Sequence, residues 1–224
     1  MHRFQQSLSR LAVLLLLIAA PSLAHAASSD GEADTAVQVV AFGDSLSAGY
    51  GVGPGESFPE QLQAALRQNG YDVNVINAGV SGDTTSGGLA RLDWSVPENT
   101  DLVILELGAN DALRGVAPKI AETNLDQILN RLGERQIPVL LTGMMAPPNM
   151  GEDYAKSFDA IFPRLAEDHD VAFYPFFLDG VAADPALNQA DHMHPNPAGV
   201  KIIVERILPA VTKQLDEIIA AAAG

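Results

Sequence analysis

The sequence predicts a three-layer α/β/α sandwich whose middle layer is a parallel sheet of five strands. Three observations carry this expectation. Apolar β-rich runs alternate with segments of helical periodicity from about residue 35 to the end. The runs have little polar interruption at their centres, as strands covered on both faces do. The order of strand followed by helix then repeats along the chain, which is the pattern of layered α/β domains.

The first strand is expected at Thr35 to Phe42, the second at Asp72 to Ala78 (DVNVINA), and the third at Asp101 to Leu107 (DLVILEL). Pro138 to Gly143 (PVLLTG) and Val171 to Phe176 (VAFYPF) supply the fourth and fifth. Between them, Pro59 to Asn69 carries Leu62, Ala65 and Leu66 at helical spacing. Pro118 to Arg135 carries Ile120, Leu125, Ile128, Leu129 and Leu132, and Tyr154 to Asp168 carries Phe158, Ile161, Phe162 and Leu165. The last helix is the most sharply marked. Asn196 suits its N-cap and Pro197 its first position, and Val200, Ile203, Val204, Ile207, Val211, Leu215 and Ile218 form one stripe. Ala220 to Gly224 reads as a frayed end.

The first 26 residues do not read as part of this fold. Arg3 and Arg10 precede an apolar run from Leu11 to Ala20, followed by Pro21, Ser22 and the small-x-small pattern Ala24-His25-Ala26. This is the pattern of a secretory signal peptide cleaved after Ala26, and the run falls short of the roughly 20 residues that span a bilayer. Ala27 to Asp34 (ASSDGEAD) is a polar lead-in, and residues 35–224 are read as a single domain. The expected location is the periplasm or the exterior of a bacterial cell.

Composition narrows the function further. The chain has 13 basic and 28 acidic residues, and removing Arg3 and Arg10 with the leader leaves 11 − 28 = −17. Such a surface repels phosphate backbones and anionic lipid heads, so nucleic acid and electrostatic membrane partners are not expected. Neutral or weakly charged small substrates, met by a monomer, are. With no cysteine, thiolate metal sites and disulfides are excluded. Of five histidines, His2 and His25 leave with the leader, so His169, His192 and His194 remain for chemistry.

In an open parallel sheet, ligands bind outside the carboxyl ends of the strands. The segments leaving those ends here are Gly43-Asp44-Ser45-Leu46-Ser47, Gly79-Val80-Ser81-Gly82-Asp83-Thr84 and Gly108-Ala109-Asn110-Asp111, and the connection after strand five ends in Asp191-His192-Met193-His194-Pro195-Asn196. Serine hydrolysis needs a hydroxyl, an imidazole, a carboxylate that fixes the imidazole, and N–H donors for the oxyanion. Ser45 is the candidate nucleophile, with its own N–H available to the oxyanion. Asp191 and His194, three apart in one loop, are the candidate acid and base. Gly82 offers an unobstructed N–H and Asn110 a side-chain amide. His192, adjacent to Asp191, is expected to be an exposed loop residue, Asp44 to hydrogen-bond backbone within its turn, and His169 to be a solvated residue at a helix end.

Four stretches, "FGDSLSAGYG", "NAGVSGDTTSGGLARL", "LELGANDALRG" and "DHMHPNPAG", resemble the four sequence blocks of the SGNH hydrolases, also called the GDSL esterase/lipase family. The resemblance runs from about Val39 to Leu208 and is nearest to the bacterial branch of periplasmic thioesterases, lysophospholipases and arylesterases. It implies a flavodoxin-like sheet, Ser45 as nucleophile, Asp191 and His194 as its partners, and an oxyanion hole of the Ser45 and Gly82 N–H groups with the Asn110 amide. No motif residue departs from the family pattern, and the implied reaction on an acyl ester or thioester uses no metal or organic cofactor.

Three other readings stand beside it. A carbohydrate O-deacetylase uses the same apparatus. An α/β-hydrolase nucleophile elbow requires Gly-x-Ser-x-Gly, and position 47 is Ser. A nucleotide- or flavin-binding module lacks its phosphate motif in "GDSLSAGYGVGPG" and leaves Asn110 and the Asp191/His194 pair unexplained. The acyl pocket is less legible. Ala112 to Val116 and Met144 to Met150 are apolar loops at the correct sheet edge, open equally to ordinary loop packing.

Overall fold

Each of the five apolar runs forms a strand in the computed structural model, which describes residues 36–223. The leader, its cleavage point after Ala26, the lead-in and Thr35 lie outside the described residues. The strands are β1 (Val37–Gly43), β2 (Val73–Gly79), β3 (Leu102–Glu106), β4 (Val139–Thr142) and β5 (Ala172–Tyr174), all parallel, in the order β2-β1-β3-β4-β5. Val39 to Phe42 and Leu102 to Leu105 are wholly buried, so the central strands are apolar because both of their faces are covered.

The helices are α1 (Ser45–Ala48), α2 (Phe58–Gln68), α3 (Thr85–Ser95), α4 (Ala109–Leu113), α5 (Pro118–Glu134), α6 (Glu152–Asp159), α7 (Ile161–Asp168) and α8 (Pro197–Ala222). α2 packs on α8 and β2, while α3 packs on α5 and α5 on α7, giving a helical layer on each face. This distribution follows from right-handed crossovers. The step from β1 to β2 runs one way across the sheet and the later steps run the other way, so their helices fall on opposite faces.

Three differences from expectation have physical causes. α3 lacks a clear apolar stripe because its glycines and an inward-turned arginine replace one. Gly88 lies so close to Leu107 that a Cβ would overlap it, and Arg91 is buried. The expected helix Tyr154 to Asp168 is two helices that turn at Ala160. Pro163 has no N–H for the Asp159 carbonyl, and its ring crowds that carbonyl. Ala220 to Ala222 complete α8 instead of fraying, in keeping with alanine's helix propensity. At the start of α8, Asn196 Oδ1 accepts the N–H groups of Ala198 and Gly199 at 3.0 Å each.

The strand order has one further consequence. From β1 the chain winds outward to β2 in one direction and from β3 to β5 in the other, so the sheet's topological switch point lies between β1 and β3. Crossovers from these two strands leave on opposite faces and open a crevice at their carboxyl ends. Gly43 pairs with Gly79 on one side and Glu106 on the other, so the ends of β1, β2 and β3 are level there.

Candidate active site

Ser45 is the first residue of α1, directly beyond β1. Asp44 caps that short helix, its Oδ1 accepting the Leu46 N–H at 3.0 Å, as expected of a turn aspartate. Gly43 is required by close approach: a Cβ there would overlap the Ser47 hydroxyl and the Glu106 carboxylate. The loop before α8 brings the imidazole across. His194 Nε2 lies 2.9 Å from Ser45 Oγ, and His194 Nδ1 lies 2.6 Å from Asp191 Oδ2.

Local hydrogen bonds hold this loop in register. Asp191 Oδ1 accepts the N–H groups of both Met193 and His194 at 3.0 Å. Those bonds, His194 N–H foremost and then Met193 N–H, together with the imidazole, draw the Asp191 carboxyl down to about 2. The Gln189 side chain joins the base loop to the nucleophile loop. Its Nε2 donates to the Tyr50 carbonyl at 2.7 Å and to the Pro195 carbonyl at 3.0 Å. The Tyr50 ring leans on the imidazole with centroids 4.5 Å apart.

His192 has no side-chain bond to this series among the described residues. It is exposed, with φ of 58°, and its N–H donates to the Gln189 carbonyl. His169 corrects the expectation of a solvated side chain. It is 15 % exposed and its Nε2 lies 2.8 Å from Asp126 Oδ1, because the end of α7 lays the ring against α5.

The two remaining candidates sit at the ends of β2 and β3. Gly82 has φ of +81°, which its lack of a Cβ permits, and its carbonyl accepts from Arg114 Nη2 at 2.6 Å. Asn110, in α4, donates its Nδ2 to Asp44 Oδ2 at 2.9 Å. Arg91 ties these loops together from beneath. It donates to Asp83 Oδ2 at 2.7 Å, to the Gly43 carbonyl at 2.8 Å and to the Ala78 carbonyl at 2.8 Å, while its guanidinium lies 4.1 Å from the Phe42 ring centre.

Sequence reasoning passed over Arg91, Arg114, Gln189 and Glu106. Glu106 had a visible signal, being a carboxylate inside the apolar run "LVILEL". It is fully buried; its Oε2 accepts the Ser47 hydroxyl at 2.8 Å and the Asp44 N–H at 3.2 Å, and its Oε1 has no hydrogen-bond partner among the described residues. Burial, followed by the nearby Asp44 charge, pushes the Glu106 carboxyl well above its ordinary range. Asp44 is also raised by burial, to about 6, against the pull of Leu46 N–H and the Asn110 amide.

A raised folded-state value gives stability that is complete below the unfolded value, near 4.5 for Glu106, and is lost as pH rises through the folded one. Glu106→Gln keeps an acceptor and cannot ionise. Its thermal midpoint is therefore expected to fall less steeply than the wild type's as pH rises from about 4.5. Parallel curves from a pH series of melts would contradict a neutral, buried Glu106.

Among the described residues, no group of three or more His, Asp or Glu is arranged to hold a metal ion, and no helix is long and apolar enough to cross a membrane.

A flavodoxin-order sheet with a hydroxyl, an imidazole and a carboxylate in hydrogen-bond contact beside its switch point has the class of arrangement that serine hydrolysis requires, on an α/β fold. More closely, the chain belongs to the GDSL-like lipase/acylhydrolase family, whose model matches residues 41–202. It is 41 % identical over 179 residues to an arylesterase of Vibrio mimicus, covering 80 % of this chain and 90 % of the relative. The crystal structure of the SGNH-hydrolase family esterase AlinE4 shares 50 % identity and a TM-score of 0.68, over 80 % of this chain and 97 % of that one. The psychrotrophic esterase EstA from Pseudoalteromonas sp. shares 33 % identity and a TM-score of 0.76, over 80 % and 98 %.

Proposed function

We propose that Ser45, His194 and Asp191 form a catalytic triad that hydrolyses carboxylic esters or thioesters of short to medium acyl chains through an acyl-enzyme. The observation that carries this reading is the unbroken series from Ser45 Oγ to His194 Nε2 at 2.9 Å and from His194 Nδ1 to Asp191 Oδ2 at 2.6 Å. His194 takes the Ser45 proton as Oγ attacks the acyl carbonyl, and Asp191, ionised down to about 2, stabilises the resulting imidazolium. The N–H groups of Ser45 and Gly82 and the Asn110 amide hold the oxyanion. The leaving alcohol or thiol departs with the proton from His194, and water then repeats the sequence on the acyl-enzyme.

The esterase names of the relatives support this substrate class, and the structure of EstA inhibited by monoethylphosphonate supports a phosphonate-reactive site. The leader-like first 26 residues support export to the periplasm. One experiment tests both points. A fluorophosphonate probe applied to fractionated cells is expected to label a periplasmic band shortened by the leader, and Ser45→Ala is expected to abolish labelling. Labelling that survives Ser45→Ala removes the nucleophile, and a full-length cytoplasmic band removes export.

The acyl contact is drawn from the loops after β3 and β4. Ala112 and Met144 are buried in the core, whereas Leu113 and Met145 are 50 % and 52 % exposed. Met145→Glu is expected to depress hydrolysis of longer p-nitrophenyl esters relative to the acetate, since burying a charge against an alkyl chain is costly. An unchanged chain-length profile takes Met145 out of the pocket.

A further inference from the structure

An asparagine amide offers an oxyanion either of two faces, a donating NH₂ or a repelling carbonyl oxygen of nearly the same size. Something must choose between them. At Asn110 the neighbour is Asp44, whose two oxygens are both engaged: Oδ1 accepts the Leu46 N–H at 3.0 Å and Oδ2 faces the Asn110 amide at 2.9 Å. A carboxylate oxygen only accepts, so the atom facing it is Nδ2. The amide nitrogen has two protons, and this bond uses one.

Asp44 is well placed to impose that choice because it is itself fixed. It is fully buried, its side chain caps α1, and its backbone N–H donates to Glu106 Oε2 at 3.2 Å. The same Glu106 oxygen accepts the Ser47 hydroxyl at 2.8 Å, so the nucleophile turn is bound to β3 on both sides of Ser45.

We propose that Asp44 is a positioning residue for the oxyanion hole: by accepting one proton of the Asn110 amide, it holds the nitrogen toward the nucleophile and leaves the second proton for the oxyanion. This rests on the reading of Asn110 as an oxyanion donor. It gives the aspartate beside the nucleophile a task apart from the triad, and it joins the ends of β1 and β3 across the switch point by one hydrogen bond.

Asp44→Asn is the informative substitution. It preserves volume and the capping oxygen, but it sets an NH₂ against the NH₂ of Asn110. Two donors do not pair, so the Asn110 amide turns over and presents oxygen on the nucleophile side. Because one oxyanion donor is worth about 10²- to 10³-fold in turnover, kcat is expected to fall by about 10²-fold with KM little changed. Asp44→Ser, which keeps a capping hydroxyl but is too short to reach Asn110, serves if the first variant does not fold; it frees the amide and is expected to lower kcat by a smaller factor.

A double-mutant cycle separates this role from others. With Asn110 already replaced by alanine, either Asp44 substitution is expected to cost little more. An equal loss in both backgrounds overturns the proposal and assigns Asp44 an effect on His194 instead, and wild-type kcat in both Asp44 variants overturns it as well. If Asn110→Ala alone retains full kcat, the oxyanion reading itself fails, an outcome distinct from either of these.

Discussion

Replacing His194 with alanine is expected to lower kcat for a p-nitrophenyl ester by about 10⁶-fold, the scale set by loss of the base from a serine triad. His192→Ala is expected to leave kcat unchanged. The contrast is informative because the two histidines are separated by one residue and share a loop. His194 Nε2 reaches Ser45 Oγ at 2.9 Å, while His192 is exposed in a left-handed turn of φ 58° and bonds through its backbone N–H to the Gln189 carbonyl. Members of a triad act as a unit, so His194→Ala placed on Ser45→Ala is expected to add almost nothing. Loss of activity in His192→Ala with retention in His194→Ala would exchange their roles.

The second large effect is expected at Asn110. Removing its amide by Asn110→Ala should cut kcat by about 10²- to 10³-fold, or about 2.7–4 kcal/mol of transition-state stabilisation. KM should change little, since the oxyanion exists only after attack has begun. Single-turnover measurement of acylation gives the cleanest reading, because it isolates the step in which the charge develops. A folded Asn110→Ala protein with the wild-type acylation rate would remove this residue from the oxyanion hole. The loss should be smaller than that at His194, because Ser45 N–H and Gly82 N–H remain.

Much of this arrangement is legible from local chemistry. Strands β1, β3 and β4 are wholly or almost wholly buried, so they appear as mainly apolar runs, with Gln38 in β1 and Glu106 at the end of β3 as the charged or amide exceptions. Asn196-Pro197 marks the start of α8 through capping and the missing proline N–H, both of which act within one turn. Ser45, Gly82, Asn110, Asp191 and His194 stand out as polar or small residues immediately beyond strands or before a helix.

What was not legible depends on partners far away in sequence. α3 carries no clear stripe because Gly88 meets Leu107 and Arg91 reaches the ends of β1 and β2, contacts invisible in the segment itself. His169 reads as a polar residue beside acidic neighbours until Asp126, 43 positions earlier, is brought beside it.

From composition and periodicity alone come the five strands and the main helices between them, the acidic composition without cysteines, and the candidate chemistry beyond strands one, two, three and five. These follow because burial and capping are written over a few residues. The strand order is different in kind. Nothing within β1 or β3 says that they are neighbours with the crevice between them, since their pairing depends on backbone hydrogen bonds between segments 63 positions apart, as in Asp101 N–H to the Gln38 carbonyl at 2.8 Å. Only that pairing sets Asn110 against Asp44, and only the return of the loop before α8 carries His194 across 149 positions to Ser45. The residues for the chemistry are local properties of the chain; their distances are a property of the packed sheet.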